Sequence, residues 1–292
     1  MKRSPIFLFL LCCYSLTSRA QHSCCSPQSN VYNAQTAMQV FASDPQFVKQ
    51  HLDPLPFKGE LAGGQMISFA CPDGKNASAY VVLHGKDSSK ILLMFHEWWG
   101  LNDYIKQEAE RMSKELGVMV VAVDLYDGQV ASVAEEASKL IRGLKPERAM
   151  AIIGGAYSHF PAESHYATIG WCMGGTWSMQ AALNPAPLEK DDKRIIGCVL
   201  YYGMPETDQA KLERLHCPVL GVFGTQDQNI TPTVVADFQT AMKTAKKKVT
   251  VHNYNAAHGF ANPSNPKYDN VATEDAMKHT IEFLKKRFGS IN

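Results

Sequence analysis

The chain has 292 residues, and its 29 lysines and arginines nearly balance 28 aspartates and glutamates, giving a formal net charge of +1. With no basic stripe, this balance excludes nucleic acid as a partner. The length suits one large α/β domain with a full core.

Taken in chain order, Lys2 and Arg3, the apolar run 6–13 and the small-x-small sequence Ser18-Arg19-Ala20 read as an export signal over residues 1–20, cleaved near Ala20. The apolar run is too short to span a bilayer, so the mature chain is expected to be periplasmic or secreted without a membrane span. Residues 21–57 form an N-terminal extension: a loop at 28–33, then one short helix over 34–50, complicated by Pro45 and closed by Pro54 and Pro56. The few large apolar residues in this stretch suggest that it packs against the domain rather than covering a pocket.

A second domain region, 58–292, alternates strand and helix signals. A hairpin is expected from 65–71 and 79–84 around Asp73-Gly74. Short β-branched or aromatic runs follow at 91–95, 118–123, 166–169, 195–201, 219–223 and 249–254. Helix-length amphipathic stretches lie at 102–116, 131–144, 146–159, 176–183, 208–214, 231–245 and 273–288. This alternation predicts a mainly parallel sheet flanked by helices on both faces, with reactive residues at the carboxyl ends of strands.

Gly170-Trp171-Cys172-Met173-Gly174-Gly175, between a strand run and a helix, has the pattern of a nucleophile elbow with cysteine in place of serine. Asp227, in Gly224-Thr225-Gln226-Asp227, and His258, in Ala257-His258-Gly259-Phe260, follow later strands. Each has a bland reading alone: Cys172 as a packing residue, Asp227 as a turn or helix cap, His258 as a loop residue. Together, in the order Cys…Asp…His at strand ends, they give the α/β-hydrolase arrangement of nucleophile, orienter and base. Of the other cysteines, Cys198 and Cys217 sit in apolar runs as packing residues, and Cys71 is a disulfide candidate with Cys24 or Cys25. With no C-x-x-C and scattered histidines, neither a metal nor a cofactor is expected.

These motifs, with His96-Glu97-Trp98-Trp99-Gly100, Asp124-Leu125-Tyr126 and Tyr201-Tyr202-Gly203, resemble those of the dienelactone hydrolase family over roughly residues 59–288. The resemblance implies an α/β-hydrolase fold and a cysteine-dependent hydrolase of small esters or lactones. It implies Cys172 as nucleophile, His258 as base, Asp227 as its orienter, and Glu97 contacting the resting cysteine to assist its deprotonation. The backbone N–H groups of Met173 and Trp98 would form the oxyanion hole, and Trp99, Tyr126, Trp171, Phe260 and Asn262 the substrate pocket. Members that cleave dienelactone hold its carboxylate with arginines near the Asp-Leu-Tyr motif and after the catalytic histidine. Here Asp127-Gly128-Gln129 and Ala261-Asn262 occupy those places, and Asp127 would repel an anion, so a neutral ester or lactone is expected. The alternatives are a carbohydrate or thioester deacylase and a non-catalytic ligand-binding protein on the same fold. A monomer with a small-molecule substrate completes the expectation.

Overall fold

The computed structural model describes residues 33–85, 87–184 and 194–291; the export signal, Cys24 and Cys25 lie outside them. Strands β1 (Gln65–Ala70) and β2 (Asn76–Leu83) form the expected hairpin, turning at Gly74 with φ +78°. Strand β2 then pairs antiparallel with β4 (Met119–Val123). Strands β3 (Lys90–Phe95), β5 (His165–Trp171), β6 (Ile195–Tyr201), β7 (Val219–Gly224) and β8 (Val249–Tyr254) complete an eight-stranded sheet in the order β1-β2-β4-β3-β5-β6-β7-β8. All pairings beyond β4 are parallel.

Burial follows position in the sheet. Ile91 to Phe95 in central β3 are wholly buried, since helices cover both faces there, whereas edge strand β8 has only exposed and half-buried residues. Helix α3 (Asp103–Leu116) starts where the Asn102 side chain accepts the Ile105 N–H at 3.2 Å, and ends at Gly117 with φ +67°. Helices α4 (Ala134–Gly143), α5 (Pro146–His159), α7 (Gln209–Leu212) and α8 (Pro232–Thr244) fall within the expected stretches. Two helices begin earlier than the amphipathic pattern indicates. Every residue of α6 (Met173–Leu183) is buried, so no polar face marks its first turn. Helix α9 (Asn270–Phe288) starts at the Asp269 side chain, which accepts the Ala272 N–H at 3.0 Å.

The expected single helix of the extension is two. Helix α1 (Ala34–Ala42) stops at Ser43, and Asp44 caps α2 (Pro45–Gln50) by accepting the Gln46 N–H at 2.8 Å, with Pro45 in the first turn. Helix α1 packs on α4 and α6 and α2 on α1 and α4, within one compact unit, Tyr32–Asn292. Packing alone does not describe the segment: Phe47 and His51 reach over the carboxyl ends of the central strands, contrary to the sequence expectation. Cys71, Cys172, Cys198 and Cys217 are buried and form no disulfide among the described residues; the candidate partners of Cys71 lie outside them. No helix among the described residues is long and apolar enough to cross a membrane.

Candidate active site

Strand β5 delivers Cys172 into a turn with φ +54° and ψ −121°, a conformation that costs energy for any residue bearing a Cβ. The flanking glycines make it possible. A Cβ on Gly170 would collide with the Gly174 carbonyl, and one on Gly174 with the carbonyl oxygens of Phe95 and His96 at the exit of β3. The start of α6 thus lies against the loop carrying Glu97 and Trp98. Met173, first residue of α6, directs its backbone N–H to the Cys172 sulfur, as the first N–H groups of a helix lack internal partners.

Asp227 follows β7. Its Oδ1 accepts the N–H groups of Asn229 at 2.8 Å and Ile230 at 2.9 Å, and its Oδ2 accepts from His258 Nδ1 at 2.6 Å. Burial alone would raise this carboxyl, but His258 and the two backbone donors hold it below the ordinary value. His258, after β8, places Nε2 3.2 Å from the Cys172 sulfur. Burial opposes its charged form, yet the Asp227 carboxylate and the Cys172 sulfur lift its pKa well above the ordinary imidazole value. Burial pushes the Cys172 thiol up, partly offset by His258. The three residues distant in sequence therefore form one continuous line of contacts.

Glu97 sits two residues beyond the end of β3, its oxygens engaged by the Tyr202 hydroxyl at 3.0 Å and by the Asn262 side-chain amide. Among the described residues those oxygens accept from Tyr202 and Asn262 and make no hydrogen bond to Cys172, and the negative charge of Glu97 pushes the Cys172 thiol up. Burial raises its pKa to about 7, against the pull of His258, Tyr202 and Asn262. Tyr202, itself held at φ +35°, was missed by sequence reasoning as a site residue.

Of the expected pocket residues, Trp99, Trp171 and Asn262 line a cavity of ≈ 580 Å³ between α3 and α9, which also reaches Ile105, Met277 and Ile281. Tyr126 and Phe260 instead belong to the core. The Tyr126 hydroxyl donates to the Met173 sulfur at 3.2 Å and its ring packs on His96, while Phe260 packs on Tyr202 and Tyr254. Asp127 is bound to Arg148 at 2.5 Å instead of facing the pocket, so it exerts no repulsion there. A second, narrow pocket of ≈ 20 Å³ lies over Cys172 and His258 and shares Glu97, Trp99 and Asn262 with the large cavity. Its roof comes from His51 and Leu52. The His51 ring lies 4.3 Å from that of Trp98 and 5.3 Å from that of His258, and Phe47 packs edge-on to Trp98 at 5.7 Å. Burial, reinforced by positive charge on His258, lowers the His51 pKa to about 3 and keeps the ring neutral. No motif marks His51 in the sequence; only the fold brings it here.

The model of the dienelactone hydrolase family matches residues 77–288. The chain belongs to this family. It is a hydrolase of small carboxylic ester or lactone substrates. Among similar curated proteins, a putative carboxymethylenebutenolidase of Aquifex aeolicus is 26% identical over 235 residues, 76% of this chain and 98% of its own. Carboxymethylenebutenolidase 1 of Cupriavidus pinatubonensis is 25% identical over 226 residues, 72% of this chain and 92% of its own. Two solved structures share the α/β-hydrolase fold. A putative dienelactone hydrolase from Klebsiella pneumoniae superposes with a TM-score of 0.64 at 18% identity, covering 76% of this chain and 99% of its own. A dienelactone hydrolase-like promiscuous phosphotriesterase from metagenomic libraries does so with a TM-score of 0.65 at 21% identity, covering 77% and 99%.

Proposed function

We propose that Cys172, His258 and Asp227 act as nucleophile, general base and orienter in the hydrolysis of neutral esters or lactones. The observation that carries this reading is the unbroken contact line: sulfur to Nε2 at 3.2 Å, and Nδ1 to carboxylate at 2.6 Å. As the sulfur bonds to the substrate carbonyl carbon, the one proton that Cys172 and His258 share rests on Nε2 and the carbonyl electrons move onto oxygen. The N–H groups of Met173 and Trp98 hold that oxyanion. Collapse breaks the carbon–oxygen bond, and His258 returns the proton to the leaving oxygen. Water then attacks the thioester, giving a proton to His258; the carbon–sulfur bond breaks, sulfur recovers the proton and the acid leaves.

The large cavity supports a neutral substrate. Arg111 on its wall is already held by Glu108 at 2.6 Å and Glu115 at 2.9 Å, and with Lys278 and Lys285 it faces a larger number of wall carboxylates, Glu97, Glu108, Glu115, Glu274 and Glu282, which disfavour an anion. Trp99, Trp171, Met277 and Ile281 offer apolar surface for an acyl or aryl group.

Turnover of short-chain nitrophenyl esters by the chain and its Cys172→Ala variant, in mild reductant, tests the reading. The expected result is a loss of roughly 10³-fold or more in kcat/KM, the scale for removing a nucleophile from such a triad. Equal activity in both proteins would remove Cys172 from the mechanism. Absence of turnover in both, across neutral esters and lactones, would favour a ligand-binding role.

A further inference from the structure

The α2 segment places a second histidine over the nucleophile, and that residue has no part in the proposed hydrolysis. His51 Nδ1 lies 2.8 Å from the Phe47 carbonyl oxygen. A carbonyl only accepts, so Nδ1 carries the hydrogen and Nε2 presents a bare lone pair. That Nε2 is buried, and no hydrogen-bond partner reaches it among the described residues. An unsatisfied buried acceptor is costly and calls for a ligand.

Its surroundings say which ligand. The donor atoms of His51, Cys172 and His258 all lie within 4.8 Å of one another. Both histidines are oriented through Nδ1, His51 by a backbone carbonyl and His258 by the Asp227 carboxylate at 2.6 Å. This is the outer arrangement that turns Nε2 of metal-binding histidines toward an ion. We propose that His51, Cys172 and His258 form a two-nitrogen, one-sulfur site for Zn²⁺ that closes reversibly over the nucleophile.

The chemistry balances without a co-reactant. The ion bonds to both Nε2 atoms and to Sγ, the one proton that Cys172 and His258 share leaves to buffer, and no electron moves. A tetrahedral zinc ion sets its nitrogen and sulfur donors about 3.3–3.6 Å apart, so the 3.2 Å His258–Cys172 pair needs little change. His51 closes the rest by a shift of at most about 1.5 Å at the end of α2. The ≈ 20 Å³ pocket leaves the fourth position to one small ligand such as water. Zinc and substrate then compete for the same sulfur, and the extension supplies a donor for an inhibitory metal.

Titration of the reduced, full-length chain with Co²⁺, a coloured substitute for Zn²⁺, tests this. The expected result is one equivalent bound, with a sulfur-to-cobalt charge-transfer band and the strong visible bands of a tetrahedral site. Cys172→Ser should abolish the charge-transfer band, and His51→Ala should weaken binding by more than ~10-fold. His51→Gln, of similar size and without an imidazole, serves if the alanine variant fails to fold. In parallel, Zn²⁺ but not Mg²⁺ should protect Cys172 from iodoacetamide, and Co²⁺ should displace less readily from the parent than from the His51 variants. Absence of the charge-transfer band, or equal affinity with and without His51, would overturn the site. Neither readout uses turnover, so failure of the hydrolytic reading in the Cys172→Ala assay leaves this test intact.

Discussion

Glu97 shows how a single side chain links the site to the stability of the molecule. Its pKa in the fold is about 7, against 4.5 ordinarily, because burial outweighs its hydrogen bonds and the nearby imidazole. Between these values the folded chain keeps a proton that the unfolded chain has released, so stability falls as pH rises through that window. The loss is on the order of 3 kcal/mol. Glu97→Gln removes it: urea midpoints at about pH 8 should favour the variant over the parent by more than they do at about pH 5. Parallel pH curves for the two proteins would show that the carboxyl does not titrate there. At this scale the sequence was informative where a motif fixed the backbone. Cys172, Asp227 and His258 were read from an elbow and strand-end positions and lie in one line of contacts, whereas Glu97, implied by the family resemblance, is held by Tyr202 and Asn262. Tyr126 and Phe260 were assigned to the pocket because aromatic residues beside a motif give no sign of which way they point.

Helix α2 is the element the sequence described least well, since six residues give too short a run for periodicity and its partners lie far along the chain. The contact that fastens it is Phe47, buried against Phe41, His51 and Trp98. Phe47→Ala should cost about 3 kcal/mol or more in stability. Part of that loss should appear as local opening over Cys172, which is only 2% exposed in the closed chain. Iodoacetamide labelling of Cys172 is expected to rise about tenfold for each ~1.4 kcal/mol taken from the closed form. Buried Cys198, at 0% exposure, provides the control. Equal acceleration at both thiols would mean global unfolding and refute a local lid.

For the molecule as a whole, the eight strands and the helices of the domain were legible because both-face burial leaves continuous apolar runs and the connecting helices are amphipathic. The large cavity was not, because it depends on how α3 and α9 stand apart. Its charge pairing predicts that a neutral aryl ester will be cleaved with at least ~10-fold higher kcat/KM than an otherwise matched ester bearing a carboxylate on the acyl side, the size of an unpaired charge in a partly buried site. Steady-state kinetics with such a pair decide it, and a preference for the anion would mean that Arg111, Lys278 or Lys285 receives the carboxylate despite the surrounding glutamates. The span of the family match carries one more consequence. It begins at residue 77, whereas the roof over the sulfur is made by residues 47–52. Two members with the same catalytic domain can therefore differ in thiol access and in the company the nucleophile keeps, without one change inside the shared sequence. Transplanting residues 33–57 onto a relative, with the helices they pack on, should carry the restricted thiol access across, and unchanged iodoacetamide labelling of the relative's nucleophile would refute it.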